Sequence, residues 1–277
     1  MKKYGHLATL LLCSLALTTL NIAATAQSID SIPDHNTFTI SSRYVHEPRV
    51  INVWVPPSYT AGSDSLPVLY MPDGGINEDF PHIANTLAEL IASKRIPPII
   101  LVGIENTERR RDLTGPTSNA EDKEIAPVVG GSANFRDLIG KELVAEIDGN
   151  YRTTGQRGII GESLAGFFVV ETLLLHPEQF DFYIAMDPSL WWNDMGMVKT
   201  APEHLKEFPT KPIRFWFAGS NVQDETPFIA DFNTTLQLNA PKTLVWHYAD
   251  EPTETHATIF RATKEKALVW VLGGGMK

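Results

Sequence analysis

Short apolar segments recur along the chain and predict the strands of a mostly parallel sheet. Two early segments, 37–42 and 50–55, alternate apolar and polar residues, as strands with one buried face do. Later segments are nearly continuous in apolar residues, which is typical of strands buried on both faces. These later segments span 68–71, 99–104, 158–161, 182–186, 213–218 and 244–248. The pattern predicts a sheet that is covered by helices.

Helical periodicity occupies several of the intervals between these strands. Apolar residues recur about every 3.6 positions between 135 and 149, which predicts one amphipathic helix. Residues 164–175 are apolar at nearly every position, as in a helix buried against a sheet, and further helices are predicted over 227–238 and 256–272. Because strands and helices alternate behind two antiparallel strands, we predict an α/β, doubly wound architecture.

Composition and charge are those of a globular protein. Of the 277 residues, 43% are hydrophobic and 20% are charged, which excludes a disordered chain, a collagen and a coiled coil. The formal net charge of −10 disfavours nucleic acid as a partner, because phosphate backbones are also negative.

Residues 1–26 have the pattern of a secretory signal peptide. Lys2 and Lys3 precede an apolar, uncharged run over 7–24, and the small residues at 24–26 allow cleavage before Gln27. Thr, Ser and Asn dilute the run, so a signal peptide is favoured over a membrane anchor.

Export has consequences for the rest of the chain. We expect a single domain over 27–277, a periplasmic or secreted location in a bacterium, and no membrane insertion after cleavage. Cys13 is the one cysteine and would be removed with the peptide. A mature chain without cysteine fits bacterial export and excludes thiolate catalysis.

One stretch places a serine between a buried strand and a buried helix: Ile159-Ile160-Gly161-Glu162-Ser163-Leu164-Ala165-Gly166. A nucleophile elbow needs this arrangement, because small neighbours let the strand and the helix approach while the serine is held in a strained conformation. The usual pattern is Gly-x-Ser-x-Gly, and Ala165 replaces the last glycine. The alternative is that Ser163 only caps the helix.

A serine nucleophile needs a base, and the base needs an acid that orients it. In α/β-hydrolases the order along the chain is Ser, acid, His. His256 lies in the loop after the last strand, from which a base can reach Ser163. The loop after 213–218 offers Asp224 and Glu225 as the acid. We favour Asp224, and the alternative for both is a place in the first turn of the next helix.

Backbone N–H groups are the expected donors to the oxyanion. One is the N–H of Leu164, directly after the serine. The second is expected from the turn after the strand that ends at Met71, where Gly74 and Gly75 let the backbone aim its amides at the site. The alternative is an ordinary turn.

Further stretches form an ordered series along the chain. They read Leu66-Pro-Val-Leu-Tyr-Met-Pro-Asp-Gly, Ile96-Pro-Pro-Ile-Ile-Leu-Val-Gly-Ile-Glu-Asn-Thr, Arg111-Asp-Leu-Thr, Tyr151-Arg-Thr and Asp187-Pro-Ser-Leu-Trp-Trp-Asn. With the elbow and His256, this series resembles the putative-esterase family of α/β-hydrolases. That family includes esterase D (S-formylglutathione hydrolase), ferric-siderophore esterases, feruloyl esterases and the mycobacterial mycolyltransferases.

The resemblance implies an α/β-hydrolase fold and serine hydrolase chemistry on carboxylic esters or thioesters. It implies a small-molecule ester as partner and neither a metal nor an organic cofactor. The chain looks closest to exported bacterial members near the siderophore esterases. Two alternatives are an acyltransferase that uses the same acyl-enzyme and a non-catalytic binding protein with this fold.

Two other features suggest substrate contacts. Trp191 and Trp192 follow the strand after the elbow helix and are candidates for an acyl or aromatic pocket, with core packing as the alternative. Arg109, Arg110 and Arg111 suggest an anionic substrate, with a solvated loop paired to Asp112 as the alternative.

Overall fold

A computed structural model describes residues 30–221 and 226–273, and within them one eight-stranded sheet organises the fold. The strands are β1 (Asn36–Ser41), β2 (Pro48–Trp54), β3 (Leu66–Pro72), β4 (Ile100–Ile104), β5 (Thr153–Glu162), β6 (Phe182–Met186), β7 (Ile213–Gly219) and β8 (Leu244–Asp250). Their order across the sheet is β1-β2-β4-β3-β5-β6-β7-β8. β2 pairs antiparallel with β1 and β4, and the other pairs are parallel. The predicted fold class is confirmed.

Helices cover both faces of this sheet. They are α1 (Pro57–Ala61), α2 (Phe80–Ala92), α3 (Arg109–Leu113), α4 (Ala120–Ile125), α5 (Ser132–Asp137), α6 (Val144–Asn150), α7 (Leu164–Leu175), α8 (Trp192–Lys206), α9 (Thr226–Asn239) and α10 (Ile259–Leu272), with a π-helical turn at Leu138–Leu143 and a 3-10 turn at Pro177–Gln179. In the described part of the chain, no helix has the combination of length and apolar character needed to cross a membrane.

Every predicted strand segment lies in a strand, but the predicted burial is wrong at two of them: residues 51–54 of β2 are all buried, and β8 is an edge strand with alternating exposure. The helix predictions hold in part. α7 coincides with the predicted 164–175, and the stripe over 135–149 lies in α5, the π-helical turn and α6. α10 begins at Ile259, so His256 lies in the turn before it. The predictions missed the short helices α1, α3 and α4 and the longer α2 and α8. In α8, three consecutive residues from Asn193 have positive φ angles of 50°, 53° and 62°, which interrupts the helical period.

Two hydrophobic clusters lie on opposite faces of the sheet and fix the helices that carry the site. On one face, α7 buries Phe167, Phe168 and Val170 within a cluster that also contains side chains of α5, α6 and α9. On the other face, Phe80 of α2 and Leu268 of α10 are fully buried. Full burial of one such side chain stabilises the fold by about 1.5–3 kcal/mol. The start of α7 is therefore held rigidly against the sheet.

Adjacent parallel strands bring the candidate residues together at one edge. β5, β6 and β7 are neighbours in register, with Glu162 beside Met186 and Met186 beside Ala218. Their carboxyl ends are followed by Ser163, Asp187 and Ser220. Open α/β sheets bind ligands at this edge.

Candidate active site

Ser163 lies in a sharp turn between β5 and α7. Its φ is 59° and its ψ is −122°, a strained backbone conformation that costs a non-glycine residue about 1–3 kcal/mol. The backbone holds it there, since Ser163 N–H donates to the Met186 carbonyl at 3.0 Å and its carbonyl accepts from Phe167 N–H at 2.8 Å. The side chain makes no capping hydrogen bond to α7. Ser163 therefore has the geometry of an elbow nucleophile rather than of a helix cap.

Two positions near the serine need glycine because other backbone atoms lie too close for a Cβ. A Cβ at Gly161 would lie 2.6 Å from the carbonyl carbon of Ala165, and a Cβ at Gly166 would lie 3.0 Å from the Met186 carbonyl oxygen. Ala165 is fully buried with its methyl group facing Gly161. The elbow tolerates this alanine because the space it needs is left open by Gly161.

His256 connects the serine to a carboxylate. Its Nε2 lies 3.0 Å from Ser163 Oγ, and its Nδ1 lies 2.9 Å from Asp187 Oδ2. Because an ionised carboxylate only accepts hydrogen bonds, Nδ1 carries the proton and Nε2 presents its lone pair to the serine hydroxyl. This is the arrangement of a general base and its orienting acid.

Within residues 30–221 and 226–273, the carboxylate that contacts this imidazole belongs to Asp187, which is fully buried. It follows β6 directly and has a φ of 43°. Its oxygens accept hydrogen bonds from Ser220 N–H at 2.7 Å and from Ser220 Oγ–H at 2.5 Å. These donors compensate for the burial of the charge. Ser220 itself follows β7.

From the sequence, Asp224 is the favoured acid and Glu225 the alternative, and both lie outside the described residues. Asp187 was not among the candidate acids and appears there only in the stretch that carries the family resemblance. A signal was present: Asp187 directly ends an all-apolar strand, and that strand follows the elbow helix in the chain. Sequential parallel strands are often neighbours, so the end of β6 was a candidate for facing Ser163.

The predicted oxyanion donors differ in their availability. Leu164 N–H has no hydrogen-bond acceptor among residues 30–221 and 226–273. Gly74 was an incorrect choice, because its N–H donates to the Ile104 carbonyl at 2.9 Å and extends the pairing of β3 with β4. Gly75 N–H donates to Glu78 Oε2 at 2.7 Å. A substrate oxyanion at Gly75 therefore competes with a carboxylate of the protein.

Glu162 is a titratable group beside the site to which the sequence pattern gave no role. It immediately precedes Ser163, and burial raises its pKa to about 7. The negative charges of Asp79 and Asp73 act in the same direction on this pKa, and the positive charges of His256 and Arg109 oppose them. A carboxyl group that changes charge near neutral pH thus lies close to the imidazole.

The arginine run is engaged by acceptors of the protein itself. Arg109 makes a bidentate pair with Asp73, with Nε–Oδ1 and Nη2–Oδ2 distances of 2.6 and 2.8 Å. Arg111 Nε donates to Asp112 Oδ1 at 2.7 Å. Arg110 donates to the carbonyl of Ile125. These contacts favour the structural alternative for the run over binding of an anionic substrate.

The two tryptophans have different environments. Trp192 is 1% exposed, and its Nε1–H donates to the Gly115 carbonyl at 3.1 Å. It therefore belongs to the core and does not line an open pocket. Trp191 is partly exposed and packs on Trp192, with a centroid distance of 5.8 Å. Trp191 remains a candidate for substrate contact.

In the described residues, neither a cluster of metal ligands nor the cavity at the far end of α7 forms part of this site. Across the described ranges, no group of three or more His, Cys, Asp or Glu side chains is placed to hold a metal ion. A cavity of about 390 Å³ lies at the far end of α7, lined by Leu174 and His204 among others. That position is at the opposite end of α7 from Ser163, so the candidate site rests on the residue geometry rather than on this cavity.

Comparison with known proteins identifies the family. Residues 42–223 match the family described as Putative esterase. The chain is 32% identical over 217 residues to ferri-bacillibactin esterase BesA of Bacillus subtilis (strain 168), which covers 70% of this chain and 72% of that protein.

Solved structures show the same architecture. An IroE-like serine hydrolase from Shewanella oneidensis superposes with a TM-score of 0.80 at 26% identity, covering 86% of this chain and 80% of the other. Siderophore hydrolase EstB from Aspergillus nidulans has a TM-score of 0.74 at 18% identity, covering 89% and 97%, and shows the shared fold. The chain belongs to the Putative esterase family, with the α/β-hydrolase fold, and is a carboxylic ester hydrolase.

Proposed function

We propose that this protein cleaves carboxylic esters through an acyl-enzyme on Ser163, with His256 as the base and Asp187 as the acid. One observation carries the proposal: a single imidazole lies within hydrogen-bond distance of both the Ser163 hydroxyl, at 3.0 Å, and the Asp187 carboxylate, at 2.9 Å. Nucleophile, base and orienting acid are thus in the arrangement that serine hydrolysis requires.

In the first step the Ser163 oxygen attacks the ester carbonyl. His256 Nε2 takes the hydroxyl proton, and Asp187 stabilises the imidazolium without itself becoming protonated. The two donors from Ser220 hold the Asp187 carboxylate in place facing Nδ1. The imidazolium then gives its proton to the alcohol that leaves, and the acyl group stays on Ser163.

The oxyanion that forms needs fixed donors. Leu164 N–H supplies one, and Gly75 N–H supplies the second once the Glu78 carboxylate has moved from it. Removing one such donor typically costs about 3 kcal/mol of transition-state stabilisation. Water then attacks the acyl-enzyme with His256 again as base, releases the carboxylic acid and restores Ser163.

The proposed substrate is an ester of the siderophore type. The support is the likeness to BesA, which is named for ferri-bacillibactin. Trp191 adds a partly exposed indole two residues after Ser189, close in sequence to the site. Aromatic side chains of this kind pack well against aryl groups in ligand pockets.

We also propose export through a signal peptide over residues 1–26. The support is the basic start, the apolar run and the small residues before Gln27. Terminal sequencing of the protein from a periplasmic fraction is expected to begin at Gln27. A terminus at Met1 on the fractionated protein would contradict export by this route.

The test of the chemistry is labelling and turnover in matched variants. The parent is expected to react with a fluorophosphonate at Ser163 and to hydrolyse a panel of short-acyl, aryl, feruloyl and siderophore lactone esters. Ser163→Ala is expected to lose both activities, while Ser93→Ala, a serine at the end of α2, keeps them. Full turnover by purified Ser163→Ala would disprove the assignment. A new ester instead of the acid when an alcohol is added would indicate an acyltransferase.

A further inference from the structure

A second serine presents its hydroxyl to the nucleophile. Ser189 Oγ lies 3.5 Å from Ser163 Oγ, on the side chain of a residue that is only 2% exposed. We propose that the Ser189 hydroxyl donates a hydrogen bond to Ser163 Oγ and stabilises the negative charge that grows there as His256 removes its proton. This role rests on the proposed function and adds a catalytic residue to it.

The backbone fixes Ser189 relative to the elbow. Ser189 N–H donates to the Ser163 carbonyl at 3.1 Å, and the Ser189 carbonyl accepts from Trp192 N–H at 3.3 Å. The preceding residue is Pro188, whose ring restricts the turn. Because its N–H and carbonyl are both bonded, Ser189 holds its hydroxyl at a set place beside the nucleophile. In the described part of the chain, Ser163 Oγ is the hydrogen-bond partner of that hydroxyl.

The direction of this hydrogen bond follows from the count of protons. Ser163 has one hydroxyl proton, and the lone pair of His256 Nε2 at 3.0 Å accepts it. The proton between the two serine oxygens must therefore come from Ser189. Ser189 is the donor and Ser163 Oγ is the acceptor.

This hydrogen bond is expected to strengthen as the Ser163 oxygen gains negative charge. Charge-assisted hydrogen bonds are shorter and about twice as strong as neutral ones. Catalytic hydrogen bonds in structures without substrate are often long and tighten only along the reaction. The 3.5 Å separation is thus that of a resting pair, and it is expected to contract as the Ser163 oxygen gains charge.

The turn over residues 187–189 contacts both the proposed base and the proposed nucleophile. Asp187 holds His256 through Nδ1, and Ser189, two residues later, contacts the nucleophile. The same turn also anchors the strained serine through the Met186 carbonyl and Ser189 N–H. A shift of this turn would therefore disturb acid, base and nucleophile together.

The experiment compares Ser189→Ala and Ser189→Cys with the parent. Ser189→Ala is expected to lower kcat/KM for an aryl ester about tenfold, the lower end of the range for a hydrogen bond to a charged group. KM is expected to change less than twofold, because the hydroxyl acts on the nucleophile and not on bound ester. Ser189→Cys, with a weaker donor of similar size, is expected to lie between the two.

A second readout separates chemistry from packing. The rate constant of phosphonylation at Ser163 is expected to fall in Ser189→Ala by the same factor as kcat/KM, because the same oxygen attacks. Ser42→Ala is the matched control: Ser42 is 6% exposed, and its Oγ accepts from Tyr44 N–H at 3.1 Å, away from the site. It is expected to lower the melting temperature without changing either rate.

The outcomes distinguish this inference from the proposed function. A parent that neither turns over esters nor reacts with the phosphonate disproves the proposed function and this role with it. An active parent with Ser189→Ala at least half as fast disproves the role of Ser189 alone. A loss in Ser189→Ala that appears as a raised KM with unchanged kcat, or Ser189→Cys equal to Ser189→Ala, assigns Ser189 to packing and also overturns the inference.

Discussion

The substitution Asp187→Asn tests the assignment of the acid most directly. Asp187 Oδ1 accepts from Ser220 N–H, and Oδ2 accepts from Ser220 Oγ–H and faces His256 Nδ1. The amide keeps its oxygen on Ser220 N–H, so its NH2 group occupies the place of Oδ2. A donor then faces Nδ1, and the imidazole adopts the tautomer with its proton on Nε2. Ser163 loses its base.

The expected cost is large and falls on kcat. A change of tautomer of this kind costs about 10⁴ in kcat in serine proteases, which corresponds to about 5.5 kcal/mol of barrier. We expect a loss of about 10³ to 10⁴ here, with little change in KM, since the amide does not alter the binding surface. The volume at the buried position is unchanged, so the fold is expected to be retained.

The assay is steady-state hydrolysis of one chromogenic ester by three purified variants. Asp187→Asn is compared with Asp224→Asn and Glu225→Gln, the acids that the sequence favoured. We expect the last two to lie within fivefold of the parent. Circular dichroism and thermal melting control for misfolding.

The result that refutes this reasoning is specific. A loss of 10³ or more in Asp224→Asn, together with Asp187→Asn within tenfold of the parent, would return the acid to the loop after β7. Equal large losses in both would mean that His256 depends on two carboxylates, which also contradicts a single acid at Asp187.

Three further predictions concern stability and its dependence on pH. Burial raises the pKa of Glu162 to about 7 from 4.5 in the unfolded chain, so its ionisation destabilises the fold as pH rises through that window. In urea unfolding, Glu162→Gln should be more stable than the parent by about 1 kcal/mol at pH 8 and equally stable at pH 4. A difference that does not depend on pH would contradict this. Burial lowers the pKa of His82 below its usual value near 6.5, so on acidification the unfolded chain binds a proton before the folded chain does. The melting temperature should therefore fall as pH drops below about 6.5, and it should fall less steeply in His82→Gln. An equally steep fall in the variant would contradict this. Gly161→Ala forces a Cβ against Ala165, so it should lower the free energy of unfolding by about 1–3 kcal/mol and reduce turnover. Gly149→Ala, whose Cβ would meet open space on α6, should be neutral or stabilising. Equal stability of the two variants in urea would refute the packing argument.

Local signals in the sequence were sufficient for much of the fold. Continuous apolar runs were sufficient to predict β3 to β7, which are buried on both faces over the predicted segments, and α7. β8 has a similar run but lies at the edge of the sheet with part of it exposed, and nothing in the run itself shows that the sheet ends there. α8 did not, because its start at Trp192 runs into three residues with positive φ whose conformation is held by distant contacts. One of these is Asn193 N–H, which donates to Asp122 Oδ2 at 2.8 Å. A pattern that depends on such a contact has no periodic signature.

The two glycines of the turn after β3 illustrate the same limit. The sequence places Gly74 and Gly75 beside the site but does not say where each N–H points. Pairing with β4 commits Gly74 to Ile104, and a turn closed by Glu78 commits Gly75 to a carboxylate. Hydrogen-bond direction is a property of the pairing between strands, and so of the tertiary fold.

For the candidate site as a whole, the sequence by itself selected Ser163 and His256 as candidates, and the tertiary structure brought the two together and added a carboxylate that the sequence had not assigned. Ser163 is marked by small neighbours between a strand and a helix, and His256 by its loop before the last helix, both of which are local features. The place of Asp187 depends on β6 lying next to β5 and on the path of the loop that carries His256 back to it. Neighbours across a sheet are chosen by packing over the whole chain, and no local spacing records that choice.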